Sequence, residues 1–186
     1  MDTTTPAAVQ APDTWAATDF RHPHSALGAM AWLMQHADYH SRWSLQDINV
    51  DIVPAIALGQ YRIYHTPEGE PIGFVTWAYV SEEVKDVLIH RRRAMEKEDW
   101  NSGDLLMFND FVAPFGHGRW MVNELRSSLF ADEVAFSLRR SHGGGVRKIN
   151  RWEGTAYRQE TKRGGVDAPP RSPHLDATPF KTRAMA

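Results

Sequence analysis

Residues 98–116, EDWNSGDLLMFNDFVAPFG, decide the fold of this chain. A polar, turn-forming opening gives way to large apolar side chains that run from 105 to 112. A short apolar run bounded by Gly103 and Pro114 is typical of a strand that is buried on both faces. We therefore predict a central strand over 105–112, with the carboxylate of Asp110 in its interior. Because a buried carboxylate is costly unless it is paired or hydrogen-bonded, Asp110 is either a structural acid satisfied by its neighbours or an acid held for chemistry.

The hydrophobic pattern on both sides of this strand predicts helices and further strands. Apolar residues recur at helical spacing after Ser25 and after Ser81, each of which can cap a helix, and Pro54 ends or kinks the helix between them. The turn-forming segment 66–71 separates two β-rich runs and predicts a hairpin. The predicted helices are 25–38, 45–54, 81–95 and 118–129, and the predicted strands are 60–65, 72–80, 105–112, 134–138 and 146–152.

The two ends of the chain differ from its middle. Residues 1–20 are rich in Thr, Ala and Pro, and residues 159–186 are rich in Pro, Gly and charge, and neither segment shows clear periodicity. The length between them suits one domain with a single core. We predict a flexible N-terminal extension over 1–20, one domain over 21–158 and a flexible C-terminal tail over 159–186.

The composition is typical of a globular protein and excludes several kinds of site. The 23 acidic and 21 basic residues nearly balance, so the net charge gives no argument for nucleic acid or a membrane as partner. The absence of cysteine excludes disulfides, thiolate nucleophiles and Cys-based metal sites in this sequence. The first residues lack the basic and apolar regions of a signal peptide, and no apolar run is long enough to span a membrane. We therefore expect a cytoplasmic protein.

His40 and Asp110 are the first candidates for chemistry, because each is a titratable residue at a polar break in apolar surroundings. A neutral imidazole can take up a proton near pH 7, and an adjacent carboxylate fixes its tautomer and stabilises its charged form. Together they would make a general base with its orienting acid. The alternative is that His40, one of nine histidines, has only a surface or capping role.

A metal site is a second hypothesis, and it depends on the spacing of four histidines. His22 and His24 are close in sequence, and His36 and His40 lie four residues apart. The second pair lacks the glutamate that follows the first histidine in the helices of zinc proteases. Solvated loop histidines are the alternative, and we predict no metal site.

Two glycine-rich turns and a set of basic residues complete the candidates. Gly116-His117-Gly118 precedes a predicted helix and 143–145 is a run of three glycines, but neither carries the Lys-Ser/Thr of a phosphate loop, so plain turns are the alternative. The basic residues form either a solvated face or a docking patch for an acidic partner. They are Arg91, Arg92, Arg93, Arg139, Arg140, Arg147, Lys148 and Arg151.

The order of these motifs resembles that of the toxin-activating lysine acyltransferases, the family that matures RTX-type pore-forming toxins. The likeness is densest in 98–116, where EDWNSGD and DFVAPFG match the family patterns Glu-Asp-Trp-x-Ser-Gly-Asp and Asp-x-x-Ala-Pro-Phe-Gly. The resemblance spans about 26–154 and leaves both ends outside it. Further matches, in family order, are Trp32-Leu33, His40-Ser41-Arg42-Trp43, Pro54-Ala55-Ile56, Gln60-Tyr61 and Trp77-Ala78.

The resemblance implies a fold of the α/β (α+β) class, related to the GNAT acetyltransferases, with a mixed, largely antiparallel β-sheet flanked by helices. It implies an enzyme that moves a fatty acyl chain from acyl carrier protein to internal lysines of an RTX-type protoxin and so activates a cytolytic, haemolytic toxin. It further implies a homodimer and no permanently bound cofactor. Asp38-Tyr39 departs from the Pro-Leu of the best-known members, which leaves the acyl pocket open, and the tail after Thr155 departs from the familiar ones, which leaves the choice of protoxin open.

By motif, the resemblance makes His40 and Asp110 the catalytic residues. Lysine is mostly protonated at pH 7, so an acyltransferase needs a base to free its lone pair. His40 would be that base, with an acyl-histidine intermediate as the alternative. Two other functions stay open: a non-catalytic binding module or chaperone for an exported substrate, and an acetyl-CoA-dependent GNAT enzyme. The absence of the Arg/Gln-x-x-Gly-x-Gly/Ala loop of that superfamily speaks against the last.

Overall fold

A computed structural model describes residues 17–18, 22–90, 93–140 and 146–164. Its strands are β1 Ala17–Thr18, β2 Tyr61–His65, β3 Pro71–Val80, β4 Leu105–Val112, β5 Val134–Arg140 and β6 Val146–Glu153. Its α-helices are α1 Pro23–Gln35, α2 Leu45–Asp51, α3 Val53–Leu58, α4 Glu82–His90, α5 Gly118–Glu124 and α6 Thr155–Gly164. Short 3₁₀ turns lie at His40–Arg42 and Lys97–Trp100, and a π-helical turn, Leu125–Leu129, continues α5.

The described strands form one sheet in the order of the chain, β1 to β6. Neighbouring strands are antiparallel except for β4 and β5, which run parallel. This confirms the predicted mixed, largely antiparallel sheet flanked by helices, the hairpin of β2 and β3, and the position of β4 inside the sheet. The relation to the GNAT enzymes stays a prediction.

The strands alternate their side chains between two covered faces. Phe74 and Ala78 of β3 pack on the face that α1, α3 and α4 cover, which we call the α1 face. Val75 and Trp77 point the other way and pack with Met121 of α5, on what we call the α5 face. Because both faces of the sheet are buried, the sequences of β3 and β4 are nearly continuous runs of apolar residues and do not alternate between apolar and polar residues.

Three helix boundaries differ from the predicted ones. α1 begins with Pro23 in its first turn, where the fixed φ of proline suits a helix start, so Ser25 lies inside the helix and caps nothing. Pro54 likewise lies in the first turn of a separate helix, α3, rather than at a simple end. The helix predicted to reach Met95 ends at His90, and Met95 is buried in the loop that follows.

The predicted end of the domain at 158 falls inside α6, which continues to Gly164. The amides of Ala156 and Tyr157 donate to the carbonyl oxygen of Ala131 at 2.8 and 3.0 Å, and the Tyr157 side chain is buried. Burial of a large side chain contributes roughly 1.5–3 kcal/mol, which holds an otherwise polar helix to the domain. In the predicted N-terminal extension, β1 pairs with β2. The remainder of both predicted flexible ends lies outside the described residues.

Candidate active site

A β-bulge in β4 determines which way Asp110 points. Trp77 of β3 lies opposite Phe108, and Val75 lies opposite Phe111, so Asn109 and Asp110 share the single partner Thr76. Strict alternation would put positions 108, 110 and 112 on one face. Phe108 instead packs on the α5 face and Val112 on the α1 face. The extra residue therefore turns Asp110 toward the α1 face.

The structure brings the two predicted catalytic residues together on that face. Nε2 of His40 lies 3.0 Å from Oδ1 of Asp110, although 70 positions separate them in sequence. Both side chains are about nine-tenths buried, each with 10% of its surface exposed. A hydrogen bond at this distance, in a site that is largely shielded from solvent, is stronger than the same contact in water.

The contact also fixes the tautomer of the imidazole. A carboxylate can only accept, so Nε2 carries the hydrogen and donates it to Asp110. The lone pair of His40 is then on Nδ1, to which no described residue hydrogen-bonds. This is the arrangement of a general base with an orienting carboxylate.

Two residues that the sequence did not single out hold Asp110 in place. Thr76 is fully buried, and its Oγ1 accepts the backbone N–H of Asp110 at 3.1 Å, replacing a ladder hydrogen bond that the bulge removes. Asn109 donates from Nδ2 to Oδ2 of Asp110 at 2.9 Å and to the carbonyl oxygen of Asp51 at 3.4 Å. Both carboxylate oxygens of Asp110 are thus occupied. Neither contact has a sequence signature, because both depend on the strand register.

His40 itself lies in the 3₁₀ turn that follows α1. The N–H of Trp43 donates to the carbonyl oxygen of His40 at 3.0 Å and closes the turn. The imidazole contacts two aromatic rings, at 5.0 Å from the centroid of Tyr39 and 4.7 Å from that of Trp43, and those two rings lie 6.0 Å from each other. These rings restrict the ring of His40 to the orientation that meets Asp110.

The dyad, His40 and Asp110, lies in the wall of an open cavity of about 700 Å³. The wall is formed by the 3₁₀ turn, by β4, and by the end of α4 with the loop that follows it. The apolar part of this wall includes Leu88, Met95, Met107 and Leu138. The cavity is large enough to admit a reacting side chain together with part of a second substrate.

A second buried aspartate in the opening stretch, Asp99, has a structural role. Its carboxylate accepts both terminal nitrogens of the Arg93 guanidinium and, at 2.7 Å, the N–H of Glu96. Burial by itself raises the pKa of Asp99, but the hydrogen bonds from Arg93 and Glu96 outweigh it and hold the pKa below its ordinary value. A carboxylate kept charged beside a permanent cation cannot act as an acid or base near pH 7.

The remaining sequence candidates do not converge on this site. His36 donates from Nδ1 to the carbonyl oxygen of Trp32 at 2.9 Å, and His22 lies beside His24 with ring centroids 5.1 Å apart. Within the described ranges, no group of three or more metal-binding side chains is assembled. Gly116 has φ of 87° and forms a turn before α5, whereas 143–145 lies outside the described residues.

The structure places the described residues of the predicted basic patch in different parts of the fold. Arg93 belongs to the ion pair with Asp99. Arg139 lines the cavity of the dyad, and the exposed residues Arg147, Lys148 and Arg151 lie along β6. Arg91, Arg92 and the side chain of Arg140 lie outside the described part.

A family model described as the RTX toxin acyltransferase family, HlyC, matches residues 21–153. The lysine-acyltransferase RtxC of Vibrio cholerae is 38% identical over 56% of this chain and 68% of its own length. The leukotoxin-activating lysine-acyltransferase LtxC of Aggregatibacter actinomycetemcomitans is 35% identical over 69% of this chain and 75% of its own. The protein-lysine myristoyltransferase RtxC of Kingella kingae is 32% identical over 70% and 77%, respectively.

Among the described residues, none of the helices combines the length and the apolar character required to cross a membrane.

Proposed function

The chain belongs to the RTX toxin acyltransferase family, and we propose that it transfers a fatty acyl chain from acyl carrier protein to internal lysines of an RTX-type protoxin. The observation that carries the proposal is the 3.0 Å contact between His40 and Asp110 at the wall of an open cavity. The names of the relatives supply the reaction class, since each is a lysine acyltransferase or a protein-lysine myristoyltransferase.

In the proposed reaction His40 acts as the general base. The lysine, as its neutral amine, attacks the carbonyl carbon of the acyl thioester and forms the C–N bond, while Nδ1 of His40 takes one proton from the attacking nitrogen. Asp110 accepts the hydrogen bond from Nε2–H and stabilises the imidazolium. The tetrahedral intermediate then breaks its C–S bond, and the imidazolium returns the proton to the departing thiolate. The products are an amide on the protoxin and a free thiol on the carrier.

The proposed partners follow from this reaction. The acyl group arrives on its donor, so the chemistry requires no permanently bound cofactor. An acidic carrier protein suits the exposed basic residues Arg147, Lys148 and Arg151 of β6, and charge steering would weaken with salt. We further propose a homodimer, which light scattering would detect, and a reducing cytoplasmic location, which fits a chain without cysteine.

The test is an acylation assay read by mass spectrometry. The protein is mixed with fatty-acylated carrier protein and a protoxin polypeptide, and the lysines of the polypeptide are examined for added acyl mass. We expect acylated lysines with the wild type and none above background with His40→Ala, whose circular dichroism should match the wild type. Formation of a stable complex without acylation would contradict the proposal and favour a binding module. Acylation by acetyl-CoA alone would favour a GNAT acetyltransferase.

A further inference from the structure

The parallel strands β4 and β5 separate beside the dyad. They pair only where 106–108 faces 135–137. β4 nevertheless continues to Val112 and β5 to Arg140. The sheet therefore has a gap between 109–112 and 138–140, at the level of Asp110.

Two cavities meet at this gap from opposite faces of the sheet. The larger cavity, about 700 Å³, is on the α1 face and contains the dyad. A smaller cavity of about 220 Å³ lies on the α5 face, between Val122 and Leu125 and the β6 residue Trp152. Both cavities have 108–111, Leu138 and Arg139 in their walls, so they adjoin at the gap.

The two cavities differ in polarity. The surface of the smaller one is mostly carbon, whereas about half of the surface of the larger one is polar. His40 lines only the larger cavity, so the amine that it deprotonates must react there. Of the two spaces next to the reacting carbonyl, the smaller is the better environment for a hydrocarbon chain.

We propose that the smaller cavity binds the acyl chain of the donor and that Val122 and Trp152 limit the length of chain it accepts, an inference that rests on the proposed acyltransferase function. Trp152 forms a rigid wall. Its Nε1 donates to Oγ of Ser137 at 2.9 Å, and its ring meets Phe108 edge-on with centroids 5.8 Å apart. Val122 lies on α5 and is only partly buried, so its side chain can change size without disturbing the core.

The first experiment measures chain-length preference. Wild type, Trp152→Leu and Val122→Phe compete for a mixture of thioester donors with chains of increasing length, and the lysine-bound products are identified by mass. Trp152→Leu should shift the products toward longer chains and Val122→Phe toward shorter ones. Since one methylene in an apolar pocket changes rates by roughly ten-fold or more, the ratio of long to short products should change by at least about that factor. Leu45→Ala, at a site that is 85% exposed and outside both cavities, is the control.

Two results of that experiment would overturn the inference. One is an unchanged product distribution in Val122→Phe, which would contradict acyl-chain binding in the smaller cavity even if Trp152→Leu fails to fold. The other is a shift toward longer chains in Met95→Ala, since Met95 lines only the larger cavity.

A second experiment separates this inference from the proposed function. A thioester donor with a photoreactive diazirine at the far end of its acyl chain is irradiated with the wild type and with His40→Ala, and the labelled peptides are mapped. Labels within 122–126 or 150–152 support the smaller cavity, and they are expected whether or not acyl transfer occurs. Labels on Leu88, Met95 or Met107 would place the chain in the larger cavity. An enzyme that labels in the smaller cavity but acylates no lysine would contradict the proposed function alone.

Discussion

Asp99 and Asp110 lie eleven positions apart in the same stretch, and both are buried. Their carboxylates differ in the kind of partner that each one contacts. Asp99 faces a guanidinium and a backbone N–H, within a loop that packs Trp100 into the core. Asp110 faces an imidazole and an amide at the wall of a cavity. The type of partner distinguishes them. A permanent cation keeps a buried acid charged for stability, and a titratable partner beside a cavity lets it assist proton transfer.

The largest effects should come from substituting the dyad, and they test whether the two acids really differ. His40→Ala or Asp110→Asn should lower acyl transfer by about 10²–10⁴-fold, because each removes part of the proposed general base. Asp99→Asn should leave the rate per folded molecule within a few-fold of the wild type. Initial rates from the mass-spectrometric assay, corrected for the folded fraction by circular dichroism, decide this. If folded Asp99→Asn is as inactive as Asp110→Asn, the proposed difference in role between the two aspartates is wrong.

Asp99 should instead control stability. Asp99→Asn should lower the free energy of unfolding at pH 7 by about 2–3 kcal/mol, because it weakens hydrogen bonds to the charged Arg93. The lowered pKa of Asp99 gives the sign of the pH dependence. Its stabilisation is complete above the pKa of the unfolded chain, about 4, and is lost as the pH falls through the lower folded pKa. Urea unfolding at a series of pH values should show that the difference in free energy of unfolding between the wild type and Asp99→Asn becomes smaller at acidic pH. A difference that grows in acid would contradict the ion pair.

Thr76→Val sharpens the comparison with a smaller effect, because Thr76 supports Asp110 and does not touch Asp99. Removal of its hydroxyl leaves the N–H of Asp110 without its acceptor, which should cost about 1–3 kcal/mol of stability. The displaced carboxylate should slow acyl transfer by about ten-fold. The pH–rate profile should also change, since Asp110 would no longer meet His40 in the same geometry. Thr76→Ser keeps the hydroxyl and should restore both rate and profile. A loss of stability with an unchanged profile would reduce Thr76 to a packing role.

Much of the fold could be predicted from the sequence because local patterns determine it. The apolar run of β4 between Gly103 and Pro114, and the turn-forming segment between β2 and β3, both gave the observed elements. α6 could not be predicted in this way. Tyr157 is the one residue described as buried in that helix, so its sequence shows no apolar stripe.

The site was predicted only in part. Composition alone left a pair of Asp110 and His40 as one hypothesis among several. The motifs around the two residues favoured this pair, and the structure shows them in contact. Thr76, Asn109 and the role of Arg93 were missed. Each depends on which residue lies opposite which across strands or loops, and that register is a property of the folded chain rather than of a local pattern.

The bulge in β4 has a consequence for genetic variation. The extra residue places the amide of Asn109 beside the carboxylate of Asp110 and leaves the N–H of Asp110 to Oγ1 of Thr76. Loss of the codon for Asn109 would restore strict alternation, which keeps the carboxylate on the α1 face opposite Thr76, but it would remove the amide that donates to Oδ2 of Asp110. Natural variants of this segment should therefore tolerate exchanges of one apolar residue for another far better than in-frame deletions or insertions. A gene that carries such a deletion would keep the DFVAPFG motif and encode a protein in which the carboxylate of Asp110 has lost one of its two side-chain hydrogen-bond partners.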